Sequence, residues 1–596
     1  MISRLSGLRR LRDFETAPML GTVEPGVPVS LYPNPGFQGS SSLNSVLDNL
    51  REQTTLFREP EPSLSVCRDA EGSNAFADHS MNSTSTIEGA QLLELLLNSA
   101  IDNTLRQIFS EWTGNGLESH VGAFLVQPFV DSITEEIARL RRSENRQSDL
   151  LTLSRHLFEN SSRDVNIHRS MTLQEFVGRY TGSNLRWETV GVVLTLAGIA
   201  ATELRAPHAL YNTEQDRQTL RMNFVHFGNK CAVFCESLDV LNDVHIIFLY
   251  QTFQFQSVFY GDQSLKTWRR LNDAAGALLA AGLHENAQQG YNAAFFLCEV
   301  RKRIFSRLYG IDVSLATFLG RPPRMSKRFC CINFPLDIDE NMYSITGDDL
   351  NRELGKLDQD GWNTQGHIRM GAVLRWSTTT AMIREDTLEL LLGQNVSDVQ
   401  QRIFELRRDI SDAWAKLPRF LIVSSHELWH RPRSRREAEC LHQIRLFYLQ
   451  SVFLIEWAAW RHGIEQSALF ESASELLSWV NEALVASCAL PAAGALALYL
   501  LQPSSRFRLK HIDAPLRRQT IESLSVLTAH MDILHSPNDG NFKLFAQAKR
   551  SLQSVVDLLL QPLDAPEINT PSTDAAADLS AIDWMASDYC GFNGGF

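Results

Sequence analysis

The chain has 596 residues, 44% of them hydrophobic and 21% charged, enough apolar material for a sizeable core. Length alone allows three or four domains, although an all-helical array can run longer as one unit. A net charge of −13 and a pI near 5.7 exclude a nucleic-acid binder that works by bulk electrostatics, so any such contact needs a local basic patch.

In chain order, Met1 to Arg12 carries Arg4, Arg9, Arg10 and Arg12, with no acid before Asp13. It does not read as a signal peptide. The remaining readings are a transit peptide, a short nuclear-import patch and a linker. Residues 1–85 are rich in Pro, Gly, Ser and Asn, as in Tyr32-Pro33-Asn34-Pro35-Gly36, and have weak periodicity. Such a segment buries too little apolar surface to offset its ordering entropy, so it is expected to be flexible and largely disordered.

From 86 to 550 helical periodicity dominates and strand-like alternation is rare, which predicts an all-α, multi-helix domain. The expected helices are Leu92 to Ile108, Phe124 to Leu140, Trp187 to Leu204, Leu238 to Tyr260, two between Trp268 and Leu315, Val399 to Ala413, Cys440 to Trp460, Leu469 to Tyr499 and Arg517 to Leu534. Ala483 to Leu501 is uncharged and just long enough for a hydrocarbon core of about 30 Å. It is alanine-rich and broken by Pro491 and Gly494, so it reads as a buried helix, and no membrane partner is expected. Val190 to Thr202 is too short to span. Residues 551–596 form an acidic, aromatic tail without Lys or Arg, with Asp583, Trp584, Asp588 and Tyr589 near its end. Mixed acidic and bulky apolar residues suit a disordered activation segment; the alternative is a solvated C-terminus whose aromatics dock back.

The segment from Trp268 to Pro335 is the most informative. Trp268, Leu271, Ala275, Leu278 and Gly282 recur at helical spacing, and Gly282 stands where a C-terminal cap is expected. A second stripe runs Phe296, Val300, Ile304, Leu308, Ile311 and Leu315, with Glu299, Arg301, Lys302, Arg303 and Arg307 between its first turns. Gly320-Arg321-Pro322-Pro323 must stop that helix, because prolines remove backbone donors and restrict the residue before them. Read physically, this is core packing. Arg301, Arg303, Arg321 and Arg324 invite a phosphate-contact reading. Internal bridges from Arg301 and Arg321 to acids such as Glu299 or Asp312 are the preferred one, since alternating signs weaken any local field.

Few chemical motifs survive inspection. His426-Glu427-Leu428-Trp429-His430 matches H-E-x-x-H, which on a helix aims two imidazoles at zinc with the glutamate as general base. Pro432 ends the helix where the second ligand needs support, and no clear third ligand follows, so a capped helix start with surface histidines is expected. A metal-dependent hydrolase built on His426, Glu427 and His430 is the alternative function. Gly347 to Lys356 has the wrong spacing for a phosphate loop, and Leu357 replaces its Ser or Thr. His284 reads as a polar cap or packed side chain. No catalytic, cofactor-binding or metal-ligating residue is assigned, and an enzyme is not expected.

The residues Trp268, Gly282-Leu283-His284, Glu299-Val300-Arg301-Lys302-Arg303, Asp312 and Gly320-Arg321-Pro322 resemble, in order and spacing, the middle homology region of fungal binuclear zinc-cluster transcription factors. Phe305-Ser306 stands where that family often has two tryptophans. Phe176-x-x-x-Tyr180-Thr181-Gly182-Ser183-Asn184-Leu185-Arg186-Trp187-Glu188 is similar to a stretch in one branch, and Phe37 to Leu43 to the linker after the zinc cluster. The resemblance covers about residues 120 to 500, most recognisably 176–340. It implies an all-α regulatory domain in a nuclear regulator of transcription, with a regulator of one pathway or gene cluster as the narrower expectation. The implied partners are a DNA-binding protein or DNA indirectly, co-regulators, a second subunit and a small-molecule effector.

The family's zinc cluster needs six thiolates in short regular spacings. The nine cysteines, Cys67, Cys231, Cys235, Cys298, Cys330, Cys331, Cys440, Cys488 and Cys590, are scattered, odd in number and contain no C-x-x-C. This usage suits a reducing compartment rather than a disulfide framework. No cofactor is therefore expected in this chain, and DNA contact would come from a partner or from a zinc-cluster module outside it.

Overall fold

The predicted periodicity is realised as helices throughout. A computed structural model describes Phe37 and residues 83–98, 101–112, 123–204, 207–285, 293–393, 396–430, 433–464, 467–482, 490–501, 514–534 and 539–560. Among these there are nineteen α-helices and no strand, so the chain is all-α. The arginine-rich start and residues 561–596 of the acidic tail lie outside the described residues. The chain divides into two units, residues 1–255 with 273–301 and residues 256–272 with 302–596.

In the first unit the helices are α1 (Ser83–Asn98), α2 (Ile101–Trp112), α3 (Ala123–Arg142), α4 (Arg146–Ser161), α5 (Leu173–Gly178), α6 (Trp187–Glu203), α7 (Glu214–Ser237) and α8 (Asp243–Tyr260, in this unit to Phe255). Helix α6 is its axis. Every residue from Trp187 to Ala201 is buried, and the helix packs on α7 and against α2, α3 and α4. Gly191 and Gly198, two turns apart, lie under the rings of Phe248 and Phe255 on α8, where a Cβ would collide with either ring. Helix α7 starts at a capping box of Thr213 and Asp216, which satisfies backbone donors the first turn cannot use internally.

Besides α8, two helices are shared between the units in sequence, α9 (Leu265–Ala280) and α10 (Phe295–Leu319). The second unit continues with α11 (Gly347–Leu354), α12 (Met370–Leu392), α13 (Val399–Ala415), α14 (Ser425–His430), α15 (Arg435–Arg461), α16 (Ser467–Glu482), α17 (Leu490–Leu501), α18 (Ala514–Leu534) and α19 (Phe542–Leu560). Helix α15 is central here and packs on α12, α13 and α16, while α17 and α18 pack on α16 and α19. Trp376 of α12 donates its indole N–H to the Ile444 carbonyl of α15 at 2.8 Å, which removes the cost of burying that donor. No described helix is long and apolar enough to cross a membrane.

The structure corrects several expected boundaries. The run Leu92 to Ile108 is divided between α1, which ends at Asn98, a residue type that competes with helical hydrogen bonding, and α2, which begins at Ile101. Leu469 to Tyr499 becomes α16 and α17, with Pro491 in the first turn of α17, where its missing N–H is least harmful. Leu238 caps α7 instead of starting α8, and Asp239 takes a left-handed conformation in the turn. Of the charged positions between the first turns of α10, Glu299, Arg303 and Arg307 are buried, as core packing requires. Phe37, within the segment expected to be flexible, donates its N–H to Ala280 O at 2.5 Å, and its ring meets His284 edge-on at 5.4 Å. Helix α1 begins at Ser83 and α19 ends at Leu560.

Candidate functional site

The richest polar constellation of the second unit is built where α10 ends. Gly320 has φ +59°, and Arg321 N–H reaches back to Ala316 O at 3.0 Å, a left-handed cap that frees the chain to turn at Pro322-Pro323. The returning loop lays Arg324 on Asp312, which is fully buried on α10. Arg324 Nη1 donates to Asp312 Oδ1 at 2.6 Å, and the backbone N–H groups of Arg324 and Met325 donate to Oδ2 at 2.6 and 2.7 Å. The same guanidinium bonds Asn272 and the Trp268 carbonyl and lies 3.5 Å from the centre of the Trp268 ring. Arg321 lies over that ring too, at 4.6 Å. Burial pushes the Asp312 carboxyl up, and Arg324 with the two amides opposes that shift.

One turn earlier on α10, Tyr309 donates its hydroxyl to Glu385 of α12 at 2.5 Å. Burial first, then Glu385, pushes the Tyr309 hydroxyl far up, so it stays protonated and serves as a donor. Glu385 also accepts from Ser326 Oγ at 2.7 Å and from Lys327 N–H at 3.1 Å. Lys327 Nζ pairs with Asp386 and bonds Met382 O at 2.9 Å, and Arg328 pairs with Glu389 at 2.6 Å. Further along, Arg375 of α12 donates to Pro335 O at 2.6 Å and lies over the Trp362 ring at 4.6 Å. Arg303 of α10 pairs with Glu340 at 3.0 Å and bonds Ile338 O at 2.8 Å. The loop from Arg324 to Ile338 is thus clamped at both ends.

The first unit holds an analogous arrangement. Glu188, fully buried at the start of α6, accepts from Ser161 at 2.8 Å and Asn242 at 3.0 Å, with Arg186 at 3.4 Å. Arg186 also lies 5.5 Å from the centre of the buried Tyr180 ring. Arg301 grips Asp243 in a two-point bond of 2.7 and 2.9 Å.

Internal bridges to acids are the expectation for Arg301 and Arg321: Arg301 pairs with Asp243, Arg321 lies over the Trp268 ring, and Asp312 is taken by Arg324. In H-E-x-x-H, Glu427 closes a capping box with Ser424, its carboxylate accepting Ser424 N–H at 3.1 Å while Ser424 Oγ accepts Glu427 N–H at 3.3 Å. His426 is exposed, and the side chain of His430 lies outside the described residues. No group of three His, Cys, Asp or Glu side chains suited to a metal occurs among the described residues. Gly347 to Leu354 forms the short helix α11, and Lys356 pairs with Glu353 at 2.6 Å. Glu385, Asp243 and Arg375 escaped sequence reasoning because nothing local marks them; their partners lie tens of residues away.

Chemically the constellation is an anchoring device. Its carboxylates accept from arginine, lysine, hydroxyl and amide donors. Fold and site together define an all-α protein that holds a long irregular loop by buried charge-assisted bonds. Compared with models of known families, with curated proteins and with solved structures, the chain finds no match.

Proposed function

We propose that this chain is the helical regulatory domain of a fungal transcription regulator, acting in the nucleus through partners and without catalytic chemistry of its own. The observation that supports it is the use made of the residues carrying the resemblance. Trp268, Arg301, Asp312 and Arg321 are spent on ion pairs and ring contacts within the fold, as befits a scaffold whose output is binding. Under this reading a DNA-binding partner or a separate zinc-cluster module supplies DNA contact, and co-regulators, a second subunit or a small effector modulate it.

The test fuses the full chain to an unrelated DNA-binding domain and measures a reporter carrying that domain's site. A change in reporter output in either direction, lost in an Asp312→Ala variant that stays soluble, is the expected result. An unchanged reporter, with purified chain that carries stoichiometric zinc and loses it on His426→Ala, would overturn the proposal in favour of the hydrolase.

A further inference from the structure

The loop clamped in the second unit carries two adjacent cysteines between its anchors, Cys330 and Cys331, where Phe329 N–H donates to Ser326 O at 3.0 Å and Asn333 Nδ2 to Cys331 O at 3.1 Å. Ser326, Lys327 and Arg328 are fixed on α12 through Glu385, Asp386 and Glu389, and Pro335 is fixed by Arg375. Between these anchors the backbone is irregular. It exposes Phe329 (82% exposed) and Cys331, with Cys330 partly exposed. The other described cysteines differ. Cys231, Cys235 and Cys440 are buried, and burial raises their thiols, so they remain protonated and poor nucleophiles. Cys298 has no neighbouring cysteine in sequence.

From this placement we propose that Cys330 and Cys331 form a reversible dithiol–disulfide switch that responds to peroxide and reshapes the Phe329 tip of the loop. The step balances. The thiolate of one cysteine attacks a peroxide oxygen and displaces hydroxide, which takes up the proton lost on thiol ionisation and leaves as water, to give a sulfenic acid. The second thiol attacks that sulfur, releases a second water and closes the disulfide, so two thiols and one hydrogen peroxide give one disulfide and two waters. Adjacent Cα atoms stand about 3.8 Å apart, shorter than the usual disulfide separation of about 4.4–6.8 Å, so closure strains the backbone. A strained, exposed disulfide is easily reduced, which is the property a switch requires. The anchors keep the strain local: with residues 326–328 and 335 held, the backbone change falls on 329–334. This inference is independent of the regulatory reading.

The experiment exposes the full chain to hydrogen peroxide, alkylates the remaining thiols and maps the tryptic peptides. The expected result is loss of two hydrogens and of both alkyl groups from the peptide beginning at Phe329, restored by a dithiol reductant. The rate of tryptic cleavage after Arg328 should shift with the same reversibility. Cys331→Ser should abolish the closure and leave Cys330 open to alkylation. The proposal is overturned if both cysteines stay alkylatable, if they pass to sulfonic acid, if either pairs with another cysteine or a second chain, or if cleavage after Arg328 does not change. The mass measurement on the native chain decides even if the variant fails to fold.

Discussion

Two buried titratable groups in the second unit should impose opposite pH dependences on its stability. Asp262, 1% exposed, accepts from Ser257 and from Asn541 Nδ2 at 2.8 Å, and burial pushes it from 3.8 to about 6. His442, 7% exposed, lies parallel to the Trp479 ring at 5.5 Å, and burial lowers it from 6.5 to about 4. Between those limits native Asp262 holds a proton that the unfolded chain has released, so its contribution is lost as pH rises toward 6. Native His442 lacks a proton that the unfolded chain holds, so its contribution is lost as pH falls toward 4. Each slope is about 1.4 kcal/mol per pH unit, and each totals roughly 3 kcal/mol, so the two nearly cancel in the native chain. Asp262→Asn removes the first. Relative to wild type, its stability should then climb with pH by about 1.4 kcal/mol per unit between about pH 4 and 6. His442→Phe, which keeps a ring on Trp479, should tilt the other way, and the double variant should run parallel to wild type. Urea unfolding followed by hydrogen-exchange labelling of peptides from Arg435–Arg461 reports this unit alone. Parallel lines for wild type and Asp262→Asn across that range would refute the reasoning.

Three further outcomes are expected. Arg324→Ala leaves Asp312 buried without its guanidinium and should cost about 3–5 kcal/mol in the urea midpoint of the second unit, with partial recovery in Asp312→Asn/Arg324→Ala; equal losses in single and double variants would count against the pairing. Gly198→Ala forces a methyl into the Phe255 ring and should cost about 1–3 kcal/mol, relieved by Phe255→Leu, as measured by thermal unfolding; an unrelieved loss would point elsewhere. Ser424→Ala breaks the capping box at α14 and should speed amide exchange in Ser425–His430 by about fivefold, equivalent to about 1 kcal/mol, with exchange in α15 unchanged.

How much was legible depended on where each residue's partner lies. The buried stripe from Phe296 to Leu315 and the caps at Gly282 and Gly320 are local, and the sequence displays them. The capping box of Ser434 and Glu437 at α15 is equally local, as two residues three apart. Helix α12 was hidden for the opposite reason. Arg375, Ser377, Thr378, Thr380, Arg384, Glu385 and Thr387 are all buried on it, so polar residues occupy inward positions and no apolar stripe emerges. Those inward polar groups include the clamp for the Arg324–Ile338 loop, so the missed helix and the missed part of the site share one cause. Helix α7 was missed likewise, with Arg217 and Arg221 buried among its aromatics.

The energetics of that clamp bear on its purpose. Removing two charges from water costs several kcal/mol per ion, and a buried pair often contributes no more net stability than well-packed apolar residues of similar volume. A chain selected only to keep the second unit folded would have little use for Asp312–Arg324, Glu385–Ser326 and Arg303–Glu340 in one region. What charge-assisted bonds provide and apolar contacts do not is direction: Asp312 accepts three donors at fixed angles, and that fixes where the loop leaves α10. The cost is reasonable if the position of the loop, with its exposed Phe329 and adjacent cysteines, is itself what the fold must specify.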